Sequence, residues 1–318
     1  MIPILLTCLL YAAVYGALWK CELSDKAKLH PNENKAYIII IAALAFAARA
    51  VFAVKYKGHE TDMNCFLGWS DMIFNGGFKS FYTSDAFTDY PPGYMYVLYI
   101  VGAVRNMLGA SDGLAWLIVK LPAIICDIAT GVIIYRIAEK RLGNVLAALI
   151  SAAYMFNPAV ILNSSLWGQV DSAYTLFAVI MLCLLMERKT IAAYFVFALC
   201  VFIKPQAFMF MPLIVYAIIE NVFMPKFSGE KFIKNLIGGL CAIATIFVLA
   251  LPFGIGAVTE QYKNTLASYP YMTVNAFNLW GALGQNWTEI KPVTGVINYV
   301  VLALIVAYSA YVLSLIHI

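Results

Sequence analysis

Two carboxylates stand one residue apart in His59-Glu60-Thr61-Asp62, directly after a long apolar run. A carboxylate on a short loop pinned to a helix end can reach a substrate hydroxyl and take its proton. The same four residues also suit an ordinary solvated loop, so their meaning depends on what gathers around them. The next group is Asp89-Tyr90-Pro91-Pro92-Gly93-Tyr94. Proline costs no hydrogen bond at a first helical position, so Pro91-Pro92 reads as a helix start. Asp89 and Tyr90 then make a stiff, acidic, aromatic corner, of the kind that sugar recognition needs.

Three more ionisable residues, Asp127, Asp171 and Lys204, lie within or between apolar runs. At membrane depth such groups are expensive, and by default they mark a site or a buried pair. Lys120 and Asp127 are seven residues apart, two turns of a helix, so they share a face and fit either an ion pair or a catalytic role. Asp171 closes the polar knot Leu166-Trp167-Gly168-Gln169-Val170-Asp171-Ser172, which follows Asn157-Pro158. Lys204-Pro205-Gln206 interrupts another apolar run. Its proline frees a carbonyl, and its lysine suits either a phosphate oxygen or a snorkelling position at the interface. In the loop Ser268–Trp280, Asn275 and Asn278 are three apart and share a face if the loop is helical. With Trp280 they suit sugar hydroxyls, and equally suit capping.

The elements that must position these residues follow from composition. The chain has 318 residues, 63% hydrophobic and 12% charged, with mean hydropathy +0.82. Soluble domains carry about 25% charged residues, so a water-soluble fold is excluded. Each spanning helix needs about 20 apolar residues, and long continuous runs rather than alternating ones select helices over a barrel. The expected fold is an all-α polytopic bundle of nine or ten spans with an interfacial helical outer loop. Its candidate spans are 1–19, 36–54, 93–108, 115–138, 144–162, 171–186, 191–219 (broken at Lys204-Pro205), 236–256 and 292–312. The run 1–19 lacks a basic leader and a cleavage site, so it reads as a first span. Stretch 63–81 has apolar residues at helical spacing and is expected to lie along the interface.

Lysines in 20–35 and 220–235 place those loops in the cytoplasm, which leaves 55–92 and 257–291 outside. Strict counting then puts the basic loop Glu139-Lys140-Arg141 on the outer side, against the charge bias. One re-entrant segment, or two short helices around Lys204-Pro205, would repair the count. The net charge of +4 lies in short loops, so it reads as topological bias and argues against a nucleic-acid partner. Seven scattered cysteines, with no CxxC pair or metal spacing, read as small core residues, and no metal ligand set is expected. The end 313–318, Leu-Ser-Leu-Ile-His-Ile, resembles a translated sequencing-library adapter, so the expected domain is a single one over 1–312 that natively continues further.

Taken in order, the acidic loop, DYPPGY, NPAVILNSSLWGQVDS, FIKPQA and SYPYMTVNAFNLW resemble the bacterial relatives of the GPI-anchor second mannosyltransferase, members of the glycosyltransferase C superfamily. The resemblance runs from about Tyr56 to Trp280. It implies transfer of one sugar, mannose by family default, from a polyprenyl-phosphate donor to a glycan, lipid or protein acceptor of the cell envelope, with inversion. The reaction would take place on the extracytoplasmic face of the cell membrane. It implies that Asp62 is the catalytic base, with Glu60 beside it, and that Lys204 holds the donor phosphate. Asp89, Tyr90, Trp167, Gln169, Asp171, Gln206, Asn275, Asn278 and Trp280 would shape the pocket. Beyond the donor substrate no cofactor is implied, and a divalent metal stays open. A transporter or flippase of lipid-linked sugars is the main rival, since broken helices and intramembrane charges suit it as well. It would call for an internal repeat, and none is evident.

Overall fold

The computed structural model describes residues 36–84, 86–267, 270–274, 279–291, 296–297, 299–304 and 306–308, with Leu9, Ala12, Ala13 and Gly16. Most of the expected span 1–19, the tail 313–318, and both Asn275 and Asn278 lie outside the described residues.

Apolar runs become helices, and glycine, proline or a polar cap marks almost every break. Helix α1 (Ala36–Lys55) carries one charge, Arg49, before its final lysine. A linker containing Gly58 leads to α2 (Glu60–Phe81), which is kinked at Gly77. Helix α3 (Pro92–Met107) begins on Pro92 behind an extended Pro91. Helix α4 (Asp112–Leu142) ends at Gly143, whose φ of 78° breaks the helix and opens α5 (Asn144–Met155). The Asn157 side chain accepts from the Ala159 N–H and caps α6 (Pro158–Ile161). A π-helical turn, Leu162–Trp167, follows and stops at Gly168. Helices α7 (Asp171–Met186) and α8 (Thr190–Ile203) form a packed hairpin. At Lys204 the backbone becomes extended, and a 3-10 segment, Pro205–Phe210, enters α9 (Met211–Phe223). Then come α10 (Gly229–Ala250), α11 (Ile255–Ala267) and the short α12 (Leu279–Ala282). Among the described residues the only β contacts are isolated bridges, Tyr271 to Glu289 and Thr273 to Asn286. The fold is all-α, as expected.

Among the described residues, four stretches are long and apolar enough to cross a membrane: α1, α4, Pro205–Phe223 and Gly229–Phe253. The pair α5 and Pro158–Trp167, bent by 47°, makes a fifth if it is one span. Helices α7 and α8 and the stretch Tyr299–Tyr308 are apolar but shorter. Helix α3, expected as a span, has only 16 residues and ends on Arg105-Asn106-Met107, so it is not among these stretches. It packs against α2 instead, where Arg105 donates to Leu67 O (3.1 Å), Ser70 Oγ (2.6 Å) and the Asp71 carboxylate (2.9 Å). Phe66, Trp69, Ile73, Tyr94, Met95 and Leu98 from α2 and α3 sit in the main core. Helices α2 and α3 thus pack as one unit, and the stretch 63–81 is helical, as its spacing predicts.

The described basic loops share one end of the bundle. Lys140 lies in the electrostatic neighbourhood of Glu187, whose carboxyl is held below its usual range chiefly by Lys189. Arg188 pairs with Glu220 at 2.9 Å, and Ile38 at the start of α1 shares a groove with Lys140. The basic loops therefore gather at one end of the bundle, together with the start of α1.

Of the two readings of Lys120 and Asp127, the mutual ion pair does not form. Asp127 pairs with Arg49 of α1 at 3.4 Å, with both side chains buried. Lys120 instead donates to two backbone carbonyls, Tyr56 O at 2.7 Å and Ser165 O at 2.9 Å. Sharing a helix face let the two approach, but neighbouring elements supplied better partners to each.

Candidate active site

At the end of the bundle opposite the basic loops, the linker after α1, the loop before α3, the π-turn and the open end of the α7–α8 hairpin, where α7 starts and α8 stops, meet. Their meeting is set by close backbone contact. Gly58 has φ 101°, and a Cβ there would stand 2.3 Å from the Trp167 carbonyl oxygen. Only glycine meets both demands. One residue on, the His59 N–H donates to that same carbonyl at 2.9 Å, and the His59 ring stacks on the Trp167 indole with centroids 4.8 Å apart.

This contact fixes Asp62 in the first turn of α2, where a carboxylate also suits the helix dipole. Its Oδ2 accepts from Trp167 Nε1 at 2.6 Å and Gln169 Nε2 at 2.7 Å, with His59 Nδ1 at 3.4 Å. Oδ1 makes no hydrogen bond among the described residues, and the side chain stays 26% exposed, enough for a substrate to approach. One oxygen is thus pinned, and the other has no hydrogen-bond partner among the described residues.

The network continues away from Asp62. Tyr90 donates its hydroxyl to Gln169 Oε1 at 3.1 Å. Burial raises the Tyr90 hydroxyl above its usual range, and the nearby charges of Asp171, Asp89 and Asp62 push the same way, so it remains a donor. Lys204 Nζ is 5.6 Å from the centre of the Tyr90 ring and is paired with Asp171 Oδ1. Asp171 Oδ2 accepts from Asn163 Nδ2 at 3.1 Å. Asp62, Tyr90, Trp167, Gln169, Asp171 and Lys204 therefore belong to one connected cluster.

Beside it lies a cavity of about 210 Å³ walled by Tyr82, Asp89, Tyr90, Pro92, Phe208 and Tyr262, among others. Gln261 of α11 bonds the Thr88 carbonyl and closes one side. Burial pushes the Tyr262 hydroxyl up to about 12. Asp89 thus lines the cavity next to the cluster. Glu60 is exposed on the first turn of α2, outside the network, and Gln206 is exposed on the 3-10 segment. Trp280 lies on α12.

Sequence reasoning missed Asn163, His59 as a stacking partner, and Gly58. Asn163 carried a usable signal: Asn163-Ser164-Ser165 is a polar run inside an otherwise apolar stretch. Among the described residues no three His, Cys, Asp or Glu side chains gather into a metal-binding set. A family model described as GPI transamidase subunit PIG-U matches residues 72–314. No curated protein matches the chain.

Proposed function

The chain belongs to the PIG-U family of membrane proteins, related to the GPI-anchor machinery, and from the geometry around Asp62 we propose that it is a membrane glycosyltransferase. It moves one sugar, mannose by the resemblance, from a polyprenyl-phosphate donor to an extracytoplasmic acceptor with inversion. The carrying observation is the Asp62 carboxylate, pinned through Oδ2 by Trp167 and Gln169, with no hydrogen-bond partner on Oδ1 among the described residues. A base held in one orientation can take the acceptor proton as the acceptor oxygen attacks the anomeric carbon and the lipid phosphate leaves. Lys204 lies in the same cluster and carries three N–H donors, of which Asp171 takes one, so donor phosphate oxygens can occupy the others. The aromatic cavity beside Tyr90 suits a sugar or acceptor face.

The reading places the reaction on the outer face. With α2 and α3 lying outside, the basic loops 139–141 and 187–189 and the start of α1 fall on the cytoplasmic side, in agreement with the charge bias.

Asp62→Asn keeps the shape and removes the base. Transfer from a polyprenyl-phosphate mannose donor to cell-envelope acceptors is expected to fall about 10²–10⁴-fold, with expression and insertion unchanged. Full activity in that variant overturns the reading. The family description favours a second reading, a non-catalytic subunit that binds a lipid-linked glycan within a larger complex. That role predicts donor binding by the wild-type protein with no turnover, and no effect of Asp62→Asn on assembly.

A further inference from the structure

Lys120 of α4 is 1% exposed, and its ammonium contacts no carboxylate within hydrogen-bond reach among the described residues. Its two acceptors are backbone carbonyls from separate stretches. Tyr56 belongs to the linker that delivers Asp62, and Ser165 belongs to the π-turn that delivers Trp167. A buried cation in a membrane protein is expensive, and charge-assisted bonds to both carbonyls offset that cost.

The lysine stem passes directly beneath the residues that hold Asp62. Gly168 stands between the two donors, Trp167 and Gln169, at φ 92°. A Cβ there would lie 3.2 Å from Lys120 Cε and 2.4 Å from the sulfur of Met63, the residue after Asp62. Floor, donors and carboxylate are therefore in successive contact.

We infer that Lys120 is a positioning residue: it ties the Tyr56–His59 linker to the π-turn and so seats the Asp62 carboxylate on the Trp167 and Gln169 N–H groups. This role rests on the transferase reading of Asp62. Lys120 acts through the two carbonyls and touches no substrate.

The test uses the full chain in nanodiscs with ¹⁵N-labelled indoles. There are six tryptophans, and Trp167→Phe assigns the relevant resonance. In the wild type the Trp167 indole N–H signal is expected to carry the downfield shift of a hydrogen bond to a carboxylate, and to lose it in Asp62→Asn. Lys120→Met keeps the stem and removes every donor. It is expected to abolish that shift while the other indole signals hold their positions, and Lys120→Arg is expected to restore it. Transfer kcat is expected to drop about 100-fold in Lys120→Met at unchanged donor KM, the loss typical of a 1 Å misplacement. Lys120→Gln reaches at most one of the two carbonyls and is expected to lose part of the shift, which keeps the test decisive if Lys120→Met fails to insert. An unchanged Trp167 signal in both variants overturns the inference, and so does a joint shift of all the indoles, the mark of general packing. If Trp167 behaves as expected but the wild-type protein transfers no sugar, the transferase reading fails and the hold of Lys120 on Asp62 stands.

Discussion

At the scale of single residues, the sharpest contrast is between Asp62 and Glu60. They stand two apart, yet one is gripped by two N–H donors and the other is exposed. Local spacing marked both, and the grip depends on Trp167 and Gln169 arriving from more than a hundred positions away. Lys204 shows the same limit. Its place at a proline break was legible, but its pairing with Asp171 and its position over Tyr90 required the hairpin to close. Lys204→Met leaves the packing of the stem and removes the cation. Under the proposed mechanism the donor KM is expected to rise about tenfold or more, the equivalent of roughly 1.4 kcal/mol, with the acceptor KM little changed. Steady-state kinetics with each substrate varied in turn checks this, and an unchanged donor dependence removes Lys204 from the site.

At the scale of elements, helix type and most boundaries were readable because apolar runs, prolines and glycines punctuate the chain. The break at Lys204-Pro205, the start of α3 at Pro92 and the helix 171–186 all fell where expected. Helix α3 reads as a span from its central apolar run, but it stops after 16 residues with Arg105 turned onto α2. The bent α5–α6 pair was hidden because a π-turn has no simple sequence signature. Arg105→Met deletes bonds to Leu67, Ser70 and Asp71 at once. The expected result is a loss of about 1–3 kcal/mol in the hold of α3 on α2, read as a lower Tm and faster proteolysis in the loop around Thr83. Wild-type resistance in that variant would show that the aromatic packing of α2 on α3 suffices alone.

For the whole molecule, the end holding Asp62 and the end holding the basic loops are opposite, and the proposed orientation puts the first outside the cell. In a cysteine-free background, a membrane-impermeant maleimide added to intact cells is expected to label Thr83→Cys and to spare Lys189→Cys, both exposed positions. The reverse pattern inverts the orientation and ends the extracytoplasmic assignment. Family membership extends over 72–314, so the linker that carries Asp62 precedes the matched stretch, and its part in the site rests on geometry. The α7–α8 hairpin adds a last consequence. Its arms have 16 and 14 residues, about 24 and 21 Å at 1.5 Å per residue, against a hydrocarbon core of about 30 Å. If both arms cross the bilayer, either the membrane thins around the hairpin or one end of it stays submerged. Where that end is the open one, Asp171 and Lys204 sit below the ordinary headgroup plane, and a lipid carrier could present its phosphate sideways without being pulled up from the leaflet.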